Sequence, residues 1–161
     1  MVRNRKQLKG FSLIELVIVV VIIGIIAAIA IPRMSRGSQG AADSALKGDL
    51  SVLRSAVDLY KAEHNAYPDG TNVTAQLTGF TDANGNPGSQ DSTHIYGPYL
   101  RTIPVIPVGT LKGNTTTGNK IGGPPPGTPD AGYGWLYDPT TGNMTANTAA
   151  QDATGTAYST Y

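Results

Sequence analysis

The side chains that serve as nucleophiles, general bases and metal ligands are sparse in this 161-residue chain. It contains no cysteine and only two histidines, His64 and His94. No serine lies in a nucleophile-elbow or lysine-paired motif, and no glycine-rich sequence is placed to bind phosphate between a strand and a helix. The sequence therefore predicts a protein that is not an enzyme and that carries no cofactor.

One carboxylate lies where it requires a partner. Glu15 is the only charged residue between Phe11 and Ile31, in a run that is apolar apart from Ser12. A carboxylate costs about 2.5–3.5 kcal/mol near the centre of a bilayer and less near its interface, so its presence calls for a charged partner. A plain membrane anchor gains nothing from such a group, and we therefore predict that Glu15 acts in assembly.

The element that positions Glu15 is predicted to be a membrane-spanning helix. Its 21 residues would rise roughly 32 Å, about the thickness of one hydrocarbon core. Four cations and no acid precede it, so residues 1–10 are expected in the cytoplasm and everything after Pro32 on the outer side of the membrane. Gly24 and Pro32 are the predicted positions of a helix kink.

Gly10 lies between these cations and the apolar run. A cleaved secretory signal has a shorter apolar region, which is followed by small residues at the cleavage site. Cleavage after Gly10 would instead discard the charges and retain the helix. Phe11 would then carry a free amino group close to Glu15, and this amino group is the nearest available partner for the carboxylate.

The run Lys9-Gly10-Phe11-Ser12-Leu13-Ile14-Glu15-Leu16 resembles the processing site of the type IV pilins and type II secretion pseudopilins. The resemblance is close over residues 5–32, which contain a basic leader, Gly-Phe at its end, a glutamate five residues into the mature chain, an uncharged run and a proline. It implies that a prepilin peptidase cuts after Gly10, that Phe11 is methylated, and that mature subunits polymerise through their N-terminal helices.

The resemblance implies a structural subunit of a helical filament. Its expected partners are identical or homologous subunits, the prepilin peptidase, an inner-membrane assembly platform and membrane lipid. Gly97-Pro98-Tyr99-Leu100 and the aromatic run around Trp135 resemble segments of major pseudopilins, which favours a type II secretion pseudopilin. A type IV pilin is the close alternative, and a signal-anchored binding or catalytic domain that never polymerises is the alternative of another class.

Composition supports a leader at 1–10, a membrane or filament-core helix at 11–32 and one small head at 33–161. Without the four leader cations, eight basic residues face eleven acids, a net charge of −3, and no basic patch indicates nucleic-acid binding. The absence of cysteine excludes a disulfide, which departs from many type IV pilins.

The head is predicted to be α+β, with the long N-terminal helix packed on a small antiparallel sheet. Apolar residues recur every three or four positions from Ala42 to Tyr60, which predicts an amphipathic helix ending near Asn65, before Pro68. The apolar stripe consists of Ala42, Leu46, Leu50, Leu53, Val57 and Tyr60. Together, residues 11–64 would form one continuous or gently broken rod of about 80 Å.

The sequence of residues 133–148 predicts a β-hairpin with a proline-glycine turn at 138–142. We interpret Trp135, in its first strand, as a core residue and not as part of a ligand site. The segment 71–88 is predicted to be a loop, and residues 122–129 are predicted to form an exposed polyproline loop. The tail from Ala149 is predicted to be a mobile segment or an edge strand.

The run Asp82-Ala83-Asn84-Gly85-Asn86 resembles the opening of a calcium-binding loop. Pro87, however, occupies the position that requires glycine, and Thr93 the position of the bidentate glutamate. The calcium loop of major pseudopilins uses several acids, whereas residues 109–129 contain none. Both departures argue against calcium in the head.

Overall fold

The computed structural model describes residues 11–113, 121–122 and 132–161. The contacts divide the chain into two compact units, with the boundary between Ser38 and Gln39. The described helices and strands are α1 (Leu13–His64), α2 (Val73–Thr78), β1 (Phe80–Thr81), β2 (Pro87–Gly88), β3 (Ile121–Gly122), β4 (Trp135–Tyr137), β5 (Met144–Ala146) and a 3-10 helix (Tyr158–Thr160).

Helix α1 runs without interruption through both predicted helical segments. It ends before Asn65, whose φ of 54° is the left-handed conformation that commonly terminates helices. The predicted apolar stripe lies in the core of the head, and from Leu46 to Tyr60 each of its members is at most 2 % exposed. The predicted long helix, its end and its buried face are confirmed.

The predicted hairpin is also confirmed. Strands β4 and β5 pair antiparallel, with Trp135 opposite Ala146 and Tyr137 opposite Met144. At the turn between them, Gly142 has a φ of 73°, which strongly favours glycine, and its amide donates to the Asp138 carbonyl at 2.8 Å. Both strands are fully buried, so the hairpin is an internal part of the head.

The sheet is mixed and not purely antiparallel, although the predicted α+β class holds. Strand β3 pairs parallel to β4, with Ile121 opposite Trp135. A parallel pair requires a connection of about a dozen residues or more, and residues 123–134 provide that length. Most of the predicted polyproline loop falls in this connection and lies outside the described residues.

The prediction of a loop at 71–88 is wrong. This segment contains α2 and the antiparallel pair formed by β1 and β2. Val73 and Leu77 are spaced one helical turn apart and are at most 1 % exposed, so burial of this pair stabilises a helix too short to leave a periodic pattern.

The segment Gly97–Pro104 forms no strand, and none occurs within residues 89–113. The Tyr99 and Leu100 amides instead donate to the Leu77 carbonyl at 3.0 and 2.8 Å. Ile103 and Ile106, at most 5 % exposed, join the core as an irregular segment.

Four turns of the head share an Asp-x-Thr pattern in which the carboxylate accepts hydrogen bonds from both the amide and the hydroxyl of the threonine. These hydrogen bonds favour the ionised form of the carboxyl. The Thr71 amide and then its hydroxyl lower the pKa of Asp69, and the Thr140 hydroxyl and then its amide lower that of Asp138. The four aspartates are Asp69, Asp91, Asp138 and Asp152.

We expect the head to lose stability in acid. Because the folded pKa of these carboxyls lies below the ordinary value of 3.8, the unfolded chain binds more protons as the pH falls through that value. The melting temperature of a soluble head beginning near residue 35 should therefore be constant near neutrality and fall below about pH 4. Asp138→Asn, which retains an acceptor but does not titrate, should weaken the dependence, and equal melting temperatures at pH 3 and pH 7 would contradict the explanation.

Trp135 lies at the centre of the core. Its side chain is fully buried, and the indole Nε1 donates to the Pro104 carbonyl at 2.8 Å. The indole therefore joins the sheet to the irregular segment that contains Ile103 and Ile106. This position agrees with the interpretation of Trp135 as a core residue.

Trp135→Ala should cost about 3–5 kcal/mol, because it leaves a large cavity in a head of marginal stability. Trp135→Phe is the matched control: it removes the hydrogen bond to Pro104 but retains an aromatic ring, so its cost should be smaller. Thermal and denaturant unfolding of the soluble head measure both. An alanine variant that melts within a few degrees of wild type would show that Trp135 does not support the core.

Candidate functional site

The candidate site is the start of α1, where the predicted processing and assembly residues lie. Phe11 and Ser12 precede the helix, and the Phe11 side chain is 88 % exposed. Gly10 lies outside the described residues. The structure therefore describes the mature side of the predicted cleavage point, and cleavage after Gly10 and methylation of Phe11 stay predictions.

Ser12 and Glu15 form a capping arrangement at the helix start. The Ser12 carbonyl accepts the first helical hydrogen bond from the Leu16 amide at 3.2 Å. The Glu15 side chain, at the third helical position, accepts a hydrogen bond from the Ser12 amide at 2.8 Å. This is the glutamate half of a capping box, which satisfies a backbone donor that the helix itself leaves unpaired.

The capping role of Glu15 is absent from the sequence-based predictions. The signal that would have found it is Ser-x-x-Glu immediately before an apolar helical run, which Ser12-Leu13-Ile14-Glu15 provides. Negative charge in the first turn also interacts favourably with the helix dipole. Glu15 thus has a structural function at its own helix end in addition to the role in assembly that the sequence predicts.

Beyond Glu15, the helix exposes a continuous apolar surface. Leu13–Ile31 has a mean hydropathy of 3.2 and enough length to cross a membrane, and no part of it is buried. Side chains on opposite sides of the helix are exposed, including Ile18 at 51 % and Val20 at 55 %. An apolar surface of this extent requires lipid or other apolar helices to cover it.

The two predicted kink positions lie farther along the same helix. Gly24 has open space around it, since an added Cβ would meet no atom within 4 Å. Pro32 lies within the helical span, and α1 continues through both positions. They are 9 and 17 residues from Glu15, or about 14 and 26 Å along the axis, so the structure does not bring them together with it. A bend at either position stays a prediction.

The described part of the head contributes no comparable chemical site. His64 Nε2 lies 3.0 Å from Thr81 Oγ1 and 3.2 Å from the Tyr99 hydroxyl, which donates to Glu63 at 2.6 Å. Burial, and then this hydrogen bond to Glu63, raise the pKa of Tyr99 above its ordinary value of 10.0. Among the described residues, no group of three or more histidine, cysteine, aspartate or glutamate side chains is placed to hold a metal ion.

The run that resembles a calcium loop forms a turn between β1 and β2. Asp82 Oδ1 accepts from the amides of Asn84 and Asn86, both at 2.9 Å. Its Oδ2 accepts from the Asn86 side-chain amide at 2.9 Å. The carboxylate thus closes its own turn.

Comparison with known proteins identifies the N-terminal segment. A family model described as the prokaryotic N-terminal methylation motif matches residues 5–31, and neither the curated proteins nor the solved structures provide a match. The matched range contains Gly10, Phe11 and Glu15 and excludes the head. The motif is of a structural, pilin type and not of an enzyme family.

The motif and the exposed apolar helix together fit a membrane-anchored protein. The motif also implies processing by a prepilin peptidase and oligomerisation in a filament. The predicted resemblance of the N-terminal segment is thereby confirmed. Residues 5–31 of this chain are a prokaryotic N-terminal methylation motif, the prepilin motif of type IV pilins and pseudopilins.

Proposed function

We propose that this chain is the precursor of a structural filament subunit of the type II secretion pseudopilin kind. In this proposal it inserts into the inner membrane with residues 1–10 in the cytoplasm, is cleaved after Gly10 and is methylated on Phe11. Subunits then leave the membrane and polymerise through α1 on an assembly platform. Filament growth would drive the export of other proteins.

The observation that carries the proposal is the combination of Glu15 with the fully exposed apolar surface of Leu13–Ile31. Lipid covers such a surface in the membrane, and equivalent helices of other subunits can cover it in a filament. A carboxylate at the helix start is useful in the filament, because it can pair with the amino group of a neighbouring subunit's Phe11. Desolvation offsets most of the attraction in such a pair. The pair would therefore fix the relative position of neighbouring subunits more than it would stabilise the filament.

The choice of a pseudopilin over a type IV pilin rests on the Gly97–Leu100 and Gly134–Tyr137 segments, which resemble those of major pseudopilins. The pilin alternative would give a surface filament used for adhesion or motility. Neighbouring genes distinguish the two: minor pseudopilins beside a secretin support the secretion branch, and a retraction motor supports the pilus branch. A signal-anchored domain would release no filaments when cells are sheared.

Intact-mass measurement tests processing. In cells that contain the prepilin peptidase, we expect a mature chain that begins at Phe11 and carries one additional methyl group. Gly10→Val should accumulate uncut precursor in the membrane, because a branched side chain crowds the scissile position, whereas Gly10→Ala should be impaired less. A mature species that retains residues 1–10, or one cut after Ala30, would contradict the proposal.

Two substitutions of Glu15 separate its charge from its capping function. Glu15→Leu loses both, whereas Glu15→Gln loses the charge and retains an oxygen that can accept from the Ser12 amide. If the charge sets register between subunits, both variants should be inserted and cleaved at near-normal levels and should yield few or no filaments. The assay is immunoblotting of membrane and sheared-filament fractions with electron microscopy of the latter.

Each possible result for the two variants assigns a different role to Glu15. Filaments from Glu15→Gln but not from Glu15→Leu would assign assembly to the cap and remove the charge from the mechanism. Wild-type filament amounts from Glu15→Leu would exclude any requirement for the carboxylate in assembly. Loss of insertion or cleavage in either variant would place its role before assembly.

A further inference from the structure

The last residues of the chain, 149–161, form a closed loop and not the mobile or edge-strand segment that the sequence predicts; we call them the tail. Gln151 and Ala157 pair as an isolated antiparallel bridge. Between them, Asp152 Oδ1 accepts from the amide and the hydroxyl of Thr154, both at 2.7 Å. The tail therefore has its own hydrogen-bonded structure.

The tail packs on the part of α1 where the head begins. Tyr158 is only 3 % exposed, and its hydroxyl donates to Asp43 Oδ1 at 2.5 Å and also contacts the Gln39 side chain. Tyr161 packs edge-on against Tyr158, with ring centroids 5.6 Å apart, and the Lys47 Nζ lies 4.9 Å from the centre of its ring. Burial, and then the bond to Asp43, raise the pKa of Tyr158 to about 12, so the phenol keeps its proton at neutral pH.

Arg54 fixes the other end of the tail. Its Nε and Nη2 donate to the Met144 carbonyl at 3.2 and 2.8 Å, and Nη2 also donates to the Tyr161 carbonyl. One half-buried guanidinium thus connects α1, strand β5 and the tail. The rigid fork of arginine can serve two carbonyls at once, and a lysine ammonium on a flexible stem does so poorly.

These contacts lie on one face of α1, since Asp43, Lys47 and Arg54 are spaced by four and seven residues. The compact unit that contains the head begins at Gln39, the first α1 residue that Tyr158 reaches. Gly40 lies within this turn, and glycine is a much weaker helix former than alanine. The order of this part of α1 therefore depends on contacts from outside the helix.

We propose that the tail is a strap that locks the first head turns of α1 and sets the residue at which α1 becomes part of the head. Without these contacts, residues 39–45 of α1 lose their packing partner in the tail, and the first completely buried side chain that the structure describes in α1 is that of Leu46. The inference does not depend on filament formation.

Hydrogen–deuterium exchange of the full chain in detergent micelles tests the strap. Tyr158→Phe retains the ring and removes the hydroxyl that binds Asp43. We expect amides at 39–45 and 150–161 to exchange about tenfold faster, the effect of losing one hydrogen bond to a charged group. Amides of the hairpin at 135–146 should keep wild-type protection.

Matched variants give the controls. Asp43→Ala should reproduce the effect of Tyr158→Phe, whereas Asp43→Asn retains an acceptor and should stay closer to wild type. Arg54→Lys should deprotect 158–161 and leave 135–146 protected. The proposal is overturned if Tyr158→Phe leaves exchange at 39–45 unchanged, and equally if 135–146 loses protection together with 39–45, because the tail would then be an inseparable part of one cooperative unit.

Discussion

The head depends on one contact, the packing of the apolar stripe of α1 against the other elements. The strands that the structure describes in the head are only two or three residues long, and sheets of this size need packing against a helix to be stable in water. Leu46, Leu50 and Leu53 supply the surface on which the sheet and irregular segments are buried. Two buried aromatic side chains reinforce this packing through backbone carbonyls, since Trp135 donates to Pro104 and Tyr137 to Pro68.

Periodic features of this fold could be predicted from the sequence. The length of α1, its end near Asn65, its apolar stripe and the β4–β5 hairpin follow from patterns repeated over many residues or from strong turn signals. The same holds for the methylation motif, because the basic leader, Gly10, Phe11 and Glu15 occupy a fixed order. In each case local preference and tertiary packing favour the same structure.

The elements that the sequence did not predict lack such repeated patterns. Helix α2 is six residues long, and the burial that stabilises it comes from segments distant in sequence. The parallel pairing of β3 depends on the path of its connection, and the tail is held by Asp43 and Arg54, more than a hundred residues earlier. The cap between Ser12 and Glu15 is the exception: its local pattern was present, but the charge of Glu15 in an apolar run suggested a cationic partner, the amino group of Phe11, instead.

The cap between Ser12 and Glu15 lowers the free-energy cost of the Glu15 charge, but the carboxylate still requires a cation. One carboxylate offers about four lone-pair sites, and the Ser12 amide occupies a single site on Oε2. The hydrogen bond reduces the cost of placing an ionised group at the edge of the apolar helix and satisfies a backbone donor there. It leaves Oε1 available to the amino group that cleavage would create on Phe11 of the same or a neighbouring subunit. A single carboxylate at the third helical residue can therefore serve two functions, the cap that it forms with the Ser12 amide and the pairing in assembly that we propose.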